Sequence, residues 1–279
     1  MIFNSKYQKL RLSNHFRMLK YRVWGLKRNY DLSKNFKNSN QVFWKLINNS
    51  RISELILKND IKISAPTNNT LMHLVEEIFF NNVYLPDGYK IKPDDVVVDV
   101  GANIGIFSIF SAMYTQKKIY SIEPFNENIK YLKKNILINS FKNLIQIEPY
   151  ALSDIDSEKK LYISKTSGGH LLFNKNINGK LEKFVKVPTK NLKYLINKYN
   201  LKRINFLKLD CEGSEGHIIK SLTSQEFEMI DKIVMEFHNN VSILNHNDIA
   251  ELLKIHNYDV DVDWNGKSMF GYLYAKKKS

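Results

Sequence analysis

Short apolar runs alternate with amphipathic segments through most of the chain after residue 95. The first run, residues 96–100, is apolar and β-branched apart from Asp99, which is typical of a strand buried on both faces of a sheet. Further strands are predicted at 119–122, 144–149, 204–209 and 232–237, with helices at 104–114, 126–139 and about 215–222. This alternation predicts right-handed crossovers and an α/β fold with a doubly wound, mainly parallel sheet.

Two regions depart from the alternating order. Residues 258–264 and 269–275 form two apolar runs at the end of the chain, which predict a closing antiparallel pair. Residues 161–187 break into short strands around Gly168-Gly169 and Asn178-Gly179, which indicates an inserted hairpin region near the site. Residues 70–80 predict a helix that leads into the main domain.

The N-terminal segment has a different pattern. Apolar residues recur every three to four positions over residues 12–30, with five Lys or Arg between them, so a basic amphipathic helix is predicted. Such a helix packs on its own domain or on a second subunit, which leaves a homo-oligomer open, or it lies on an anionic membrane surface. We therefore predict two domains, a basic helical extension over residues 1–60 and a main domain over residues 61–279.

The positive charge is concentrated in the appendages. The formal net charge is +14, and residues 1–40 hold ten Lys or Arg against one acid, while residues 276–278 add three lysines. A nearly neutral main domain predicts no nucleic-acid partner. With one cysteine, no secretory signal and no apolar run of about 18 residues, a cytoplasmic location is expected, or one peripheral to the inner face of the membrane.

A glycine turn follows the first predicted strand. A dinucleotide enzyme would present Gly-x-Gly-x-x-Gly there, but this chain has Gly101-x-x-x-Gly105 with Asn103 in place of the middle glycine. Asp99 stands just before the turn, where a carboxylate would repel a pyrophosphate but attract an ammonium group. The turn and the helix N-terminus after it suit the zwitterionic methionine moiety of S-adenosylmethionine (SAM).

Two later acids extend this cofactor site. Glu123 ends the second strand, 24 residues after Asp99, near the spacing at which an acid binds ribose hydroxyls. The loop 151–154 follows the third strand and is expected beside the adenine, with Asp154 accepting from the exocyclic amine. Either acid could instead be a solvated surface group. Asp99, Gly101, Asn103, Gly105, Glu123 and Asp154 are the predicted cofactor-binding residues.

The predicted catalytic residues follow the fourth and fifth strands of the sheet. Asp210 and Glu212 come after one strand, and Glu236 and His238 end the next, so the four side chains should meet in one crevice. A histidine has an ordinary pKa of about 6.5, which makes His238 the predicted general base. The oxygen ligands leave Mg²⁺ open as an alternative, but the favoured interpretation assigns no metal site.

Five segments together resemble the FkbM-type methyltransferase family. They are Asp-Val-Gly-Ala-Asn-Ile-Gly (99–105), Ser-Ile-Glu-Pro-Phe (121–125), Ala-Leu-Ser-Asp (151–154), Leu-Lys-Leu-Asp-Cys-Glu-Gly-Ser-Glu (207–215) and Met-Glu-Phe-His (235–238). The resemblance covers about residues 90–240 and implies a Rossmann-like class I fold that methylates sugar or polyketide hydroxyls with SAM. The chain departs from the family at Leu192-Lys193, where the family has Leu-Asp.

These observations predict a SAM-dependent O-methyltransferase that acts on a hydroxyl of a glycan, a glycolipid or a related metabolite. Asp-Cys-Glu-Gly at 210–213 replaces the Asn- or Asp-Pro-Pro-aromatic loop of enzymes that methylate base amines, so a nucleobase acceptor is disfavoured. Two alternatives stay open, a nicotinamide oxidoreductase and a non-catalytic module that docks on membranes.

Overall fold

The computed structural model describes residues 25–66, 71–163 and 183–278. It divides the chain into two compact units, Met1–Thr67 and Asn68–Ser279. The division lies after Thr67 rather than after residue 60, because a β-hairpin of the first unit continues to Ser64. None of the helices in the described ranges is long and apolar enough to cross a bilayer.

The first unit combines two helices with a small hairpin. Residues 25–33 are helical (α1), α2 spans Ser39–Ile47, and strands β1 (Glu54–Ile56) and β2 (Lys62–Ser64) pair antiparallel. Its core contains Phe36, Val42, Leu55 and Ile63, each at most 2% exposed. Residues 12–24 of the predicted amphipathic helix lie outside the described residues, whereas 25–30 are helical as predicted. The hairpin was not predicted.

The strands of the second unit form one large and one small sheet. Their bounds are β3 Val97–Val100, β4 Ile119–Ile122, β5 Ile145–Glu148, β6 Ala151–Leu152, β7 Ser157–Tyr162, β8 Phe184–Lys190, β9 Phe206–Leu209, β10 Lys232–His238, β11 Tyr258–Asp263 and β12 Phe270–Lys277. Strands β3, β4 and β9 are buried along their whole length, which explains why their sequences are almost wholly apolar.

Seven helical segments accompany these strands in the described part of the second unit. They are α3 Leu71–Val75, α4 Ile106–Ser111, α5 Asn126–Ile138, α6 Leu192–Tyr199, α7 Glu215–Ser221, α8 Ser224–Glu228 and α9 His246–Ile255, and α3 continues as a π-helix over Glu76–Phe80. Local side chains determine where several begin. Asn191 caps α6 by accepting from the Tyr194 N–H, and Thr223 and Asn245 start α8 and α9 in capping boxes.

The large sheet has the strand order β11-β12-β10-β9-β3-β4-β5. Strand β12 runs antiparallel to both of its neighbours, and the pairs from β10 to β5 are parallel. The predicted doubly wound, mainly parallel α/β sheet with its closing antiparallel pair is therefore confirmed. The chain proceeds outward from β3 to β5 and returns to β9 on the other side of β3. This reversal creates a crevice at the carboxyl ends of β3 and β9, where such folds bind ligands.

A second sheet lies between β5 and α6 along the chain. Strand β8 pairs antiparallel with β7 and parallel with β6, in the order β6-β8-β7. Its core contains Ala151, Leu161 and Val187. Strands β7 and β8 thus pair at the two ends of the predicted insertion. Most of that insertion, with Gly168-Gly169 and Asn178-Gly179, lies outside the described residues.

Candidate active site

The turn after β3 needs three residues in the left-handed backbone region. Gly101, Asn103 and Gly105 have φ angles of 74°, 51° and 87°. Glycine adopts this region without steric cost, and asparagine is among the side chains that tolerate it best. The Gly101 and Ala102 N–H groups both donate to the Ile122 carbonyl at 3.0 Å. These bonds attach the turn to the end of β4.

Gly101 is required by the neighbouring strand. A Cβ atom at this position would lie 1.8 Å from the Asp210 carbonyl oxygen. Any side chain at this position would disrupt the contact between the ends of β3 and β9. A substitution of Gly101 therefore tests folding rather than ligand binding.

We expect Gly101→Ala to lower the free energy of unfolding by about 2 kcal/mol or more, because backbone strain and overpacking add. Gly266→Ala is the matched control, since Gly266 has the same φ of 74° with nothing within 4 Å of its Cβ position. Urea unfolding measures both variants. Equal losses would show that the contact with Asp210 contributes nothing.

Asp99 has a different role from the one predicted. Its side chain is fully buried, accepts a hydrogen bond from the Ser108 hydroxyl at 2.6 Å and pairs with Lys208 Nζ at 3.1 Å. It does not line the cavity described below, so it cannot contact an ammonium group of a ligand there. Lys208 also donates to the Gly101 carbonyl at 3.1 Å and lies 3.4 Å from Asp210 Oδ2. The pair therefore holds the glycine turn and Asp210 in position.

A cavity of about 580 Å³ opens at the crevice between β3 and β9. That volume includes space that is open to solvent. Its polar wall contains Gly101, Asn103, Glu123, Asn128, Asp210, Cys211, Glu212 and Ser214. Of the described residues that line it, three are carboxylates and none carries a positive charge. The cavity therefore favours a cationic ligand.

Glu123 is held firmly at the cavity wall. Its Oε2 accepts from the Asn103 N–H at 2.8 Å, and Oε1 accepts from the Phe125 N–H at 2.8 Å and from the Asn128 amide at 3.3 Å. The side chain is nearly buried, and this burial raises the pKa of Glu123 to about 7. Three of the roughly four acceptor sites of the carboxylate are used, so one remains for a ribose hydroxyl.

The rest of the cavity lining is mainly apolar. It contains Ile122, Pro124, Ala151, Leu152 and, from the hairpin strand β7, Leu161. The loop 151–154 therefore borders the cavity, as predicted, but Asp154 does not line it. Asp154 instead lies 2.8 Å from Lys159 Nζ and 3.6 Å from His217 Nδ1. Its predicted contact with the adenine amine is not supported, because these neighbours already occupy the carboxylate.

His238 lies among three carboxylates beside the cavity. Its Nε2 is 3.4 Å from Glu212 and 3.6 Å from Glu236, and its Nδ1 is 3.5 Å from Glu215. Glu215 is fully buried and accepts from the Cys211 and Gly213 N–H groups at 3.1 Å, so it shapes the loop after β9. The predicted convergence of the two strand ends is therefore present.

The surroundings of His238 disfavour the predicted role of its imidazole as general base. Burial alone would lower the pKa of the imidazole, but the facing carboxylates, Glu215 first, raise it to about 10. The carboxylates therefore favour the protonated imidazolium, which has no lone pair to accept a proton. It instead supplies a positive charge between Glu212 and Glu236.

The two carboxylates next to His238 have raised pKa values, so they become proton acceptors as the pH rises above neutrality. Burial raises the pKa of Glu212 to about 8, although His238 opposes the rise. Burial and the nearby Asp210 raise the pKa of Glu236 to about 9. Glu212 also has a left-handed φ of 53°, a strained conformation of the kind that clusters at functional sites.

Several residues of the site were not predicted. The Tyr84 hydroxyl donates to Asp210 at 3.0 Å, and the Tyr272 hydroxyl donates to Glu77 in the π-helix. Burial raises the pKa of Glu77, with Asp210 among the groups that add to the rise. Lys208 could have been identified, because a lysine within the apolar run 206–209 must be paired when buried. Tyr84 and Glu77 carry no such signal.

Several of the acidic side chains also have a cationic partner. In the part of the chain that the structure describes, no group of three or more His, Cys, Asp or Glu side chains is arranged to hold a metal ion. Asp210 faces Lys208, and Glu212 and Glu236 face His238.

Comparisons with known proteins agree with this geometry. The protein-family model for the methyltransferase FkbM domain matches residues 99–260, which is more than half of the chain. The 31-O-demethyl-FK506 methyltransferase FkbM of Streptomyces tacrolimicus is 24% identical over 237 residues, covering 75% of this chain and 90% of that protein. The AMB antimetabolite synthetase AmbE of Pseudomonas aeruginosa is 24% identical over 247 residues, covering 75% of this chain but only 12% of AmbE.

A solved structure is also similar to most of this chain. The crystal structure of methyltransferase FkbM from Methylobacillus flagellatus matches with a TM-score of 0.48 and 16% identity. The match covers 91% of this chain and 62% of that one.

Proposed function

Because the chain belongs to the FkbM methyltransferase family, we propose that it transfers a methyl group from SAM to a hydroxyl oxygen of a glycan or a related metabolite. The observation that carries the proposal is the row of carboxylates from the cavity to His238. Glu123, Asp210 and Glu212 line the cavity, and Glu236 lies just beyond, 3.6 Å from the imidazole.

Both the apolar and the polar residues that line the cavity suit parts of the SAM molecule. The apolar side, with Pro124, Leu152 and Leu161, suits an adenine ring, and Glu123 suits a ribose hydroxyl. The ammonium and sulfonium groups of SAM carry positive charge, which Asp210 and Glu212 would stabilise. Asp210 would thus stabilise the ammonium group, the role that the sequence suggested for Asp99. A nicotinamide cofactor is disfavoured, because its pyrophosphate would face the same carboxylates.

The acceptor side also favours hydroxyl groups. Glu212, Glu236 and Glu77 are hydrogen-bond acceptors when ionised, so they match the donors of a neutral, hydroxyl-rich molecule. A phosphate or carboxylate beside the reacting oxygen would be repelled. This favours a sugar hydroxyl over an anionic acceptor, and it supports a glycan or glycolipid substrate.

The reaction requires a methyl donor, a nucleophile and a proton acceptor. SAM, when bound, supplies an electrophilic methyl group whose carbon–sulfur bond pair leaves with the sulfur. Asp210 and Glu212 would orient the two reactants, since positioning contributes much of the rate of such displacements. Glu236 would accept the proton that the hydroxyl loses as the oxygen–carbon bond forms. His238 would remain protonated and stabilise the ionised carboxylates.

The acceptor class can be tested by supplying candidate glycans. Cell-envelope glycans from cells that lack the gene are incubated with the purified protein and SAM bearing a trideuterated methyl group. We expect mass spectrometry to find deuterated methyl ethers on sugar hydroxyls, and none with the Asp210→Asn variant. Label on nitrogen, or label only on molecules without sugars, would contradict the proposed acceptor.

The affinity for SAM should depend on pH through Glu123. A carboxyl group whose pKa is about 7 in the folded chain is protonated below neutrality and ionised above it. Only the ionised form can accept from a ribose hydroxyl while keeping its three N–H bonds. We therefore expect the SAM dissociation constant to fall by about tenfold between pH 6 and pH 8, for a gain of about 1.4 kcal/mol.

Calorimetry across this pH range measures the effect. Glu123→Gln should bind SAM weakly at every pH, because the amide cannot ionise. Glu127→Gln is the matched control, since Glu127 lies four residues further on, at the exposed start of α5. A pH dependence that survives in Glu123→Gln would contradict the assignment.

A further inference from the structure

The first unit exposes a cluster of large apolar side chains. Leu26, Tyr30 and Trp44 are 46%, 51% and 62% exposed. Leu26 and Tyr30 lie one turn apart on α1, and the Tyr30 ring packs edge-on against Phe43 at 5.9 Å, next to Trp44 on α2. These four residues form a continuous feature on two helices, which we call the Trp44 surface.

Three lysines lie close to this surface along the chain or in space, and one of them, Lys34, also lies 3.8 Å from the exposed Asp31 carboxylate. Lys27 and Lys45 are the chain neighbours of Leu26 and Trp44, and Lys34 Nζ lies 4.1 Å from the centre of the Tyr30 ring. Residues 1–67 as a whole hold fourteen Lys or Arg and three acids. A strongly basic unit attracts an anionic partner and repels a second copy of itself.

The side chains of the cluster suit a lipid interface. Tryptophan and tyrosine prefer the boundary between headgroups and acyl chains, and an aliphatic residue such as Leu26 gains from entering the acyl region. Lysines around such residues bind anionic headgroups. A nucleic acid would bind the lysines but would provide no apolar contact for the exposed leucine.

We infer that the Trp44 surface docks the protein on an anionic lipid bilayer. Leu26, Tyr30, Phe43 and Trp44 enter the interface, and Lys27, Lys34 and Lys45 bind the headgroups. The inference concerns the first unit alone and does not depend on the methyl-transfer chemistry of the second.

Vesicle flotation tests this inference directly. The full chain is mixed at 50 mM NaCl with phosphatidylcholine vesicles containing either no phosphatidylglycerol or about 30% of it. We expect binding to the anionic vesicles only, and most of it should disappear at 500 mM NaCl, because salt screens the lysines. Absence of binding to anionic vesicles at low salt would overturn the inference.

Variants then locate the surface. Tyr30→Ala/Trp44→Ala should weaken partitioning about tenfold or more, whereas Trp264→Ala, which removes an exposed tryptophan from the second unit, should not. Lys27→Gln/Lys45→Gln should weaken it about fivefold per lysine, the change that corresponds to about 1 kcal/mol. Lys130→Gln/Lys142→Gln in the second unit is the charge control.

Two measurements show whether the variants remain folded and still bind SAM. Circular dichroism and SAM affinity should be unchanged in every variant, because the substituted residues are exposed or lie in the first unit. Equal partitioning of the aromatic variant and the wild type would overturn the inference. Sedimentation velocity showing a dimer that Tyr30→Ala/Trp44→Ala dissociates would overturn it in favour of a second copy of the chain.

Discussion

Replacing Lys208 by methionine should lower the free energy of unfolding of the second unit by about 3–5 kcal/mol. The Lys208 side chain is 3% exposed and pairs at 3.1 Å with Asp99, which is fully buried. Removing the lysine leaves a carboxylate without a counter-ion in the centre of the sheet. The Gly101 carbonyl also loses its donor. Urea unfolding followed by circular dichroism measures the change.

Two further variants test the cause of this loss. Lys208→Met/Asp99→Asn removes both charges while leaving an acceptor for Ser108, so it should recover at least half of the lost stability. Lys117→Met breaks an ion pair with Asp94 in which both side chains are more than half exposed, and it should cost less than about 1 kcal/mol. If Lys208→Met is as stable as Lys117→Met, the buried pair does not support the turn.

The second large effect concerns the proton acceptor. Glu236→Gln should lower kcat by about 10² or more, the usual contribution of a general base, with little change in SAM affinity. Burial and Asp210 raise the pKa of Glu236 to about 9, so its basic form increases as the pH rises above neutrality. The wild-type rate should therefore rise with pH over this alkaline range, and Glu236→Gln should lose that rise.

His238→Asn separates this account from histidine catalysis. The imidazolium lowers the pKa of both neighbouring carboxylates, so its removal should move the rise in rate to higher pH without abolishing it. Glu251→Gln, an exposed change on α9, serves as the control. The profiles are measured under single turnover with the glycan acceptor. If His238→Asn loses the pH-dependent rise and Glu236→Gln keeps it, the histidine is the base.

The strands could be predicted from the sequence because burial on both faces leaves an unambiguous pattern. Strand β4 was predicted with its observed bounds, and β3 and β9 differ by one or two residues at their starts. The carboxyl ends of parallel strands meet at one edge, so the order of the strands was enough to group Asp210, Glu236 and His238. In the first unit, by contrast, β1 and β2 are three residues each, too short for a periodic signal.

The electrostatic roles within the site could not be predicted in the same way. Asp99 lies within β3 and is fully buried, whereas Asp210 follows β9 and lines the cavity, although Lys208 contacts both carboxylates. From the sequence alone His238 is a candidate general base. Only the structure shows that Glu212, Glu215 and Glu236 surround it. These roles depend on distances across the sheet, which strand spacing along the chain does not specify.

Contacts between residues far apart in the sequence could not be predicted either. Tyr84 reaches Asp210 across 126 residues and Tyr272 reaches Glu77 across 195. The helix at 71–80 was predicted, but its last turn is a π-helix, a form that is rare and frequent at functional sites. Its wider turn has no simple sequence signature.

The central claim, that the cavity after β3 binds SAM, is tested most directly by calorimetric titration at pH 8. The wild type should bind one SAM per chain and should show no heat with NAD⁺. Glu123→Ala should weaken SAM binding about tenfold or more, a loss of about 1.4 kcal/mol or more, while Glu127→Ala leaves it unchanged. Binding of NAD⁺ instead of SAM, or equal SAM affinity in Glu123→Ala and the wild type, would contradict the account.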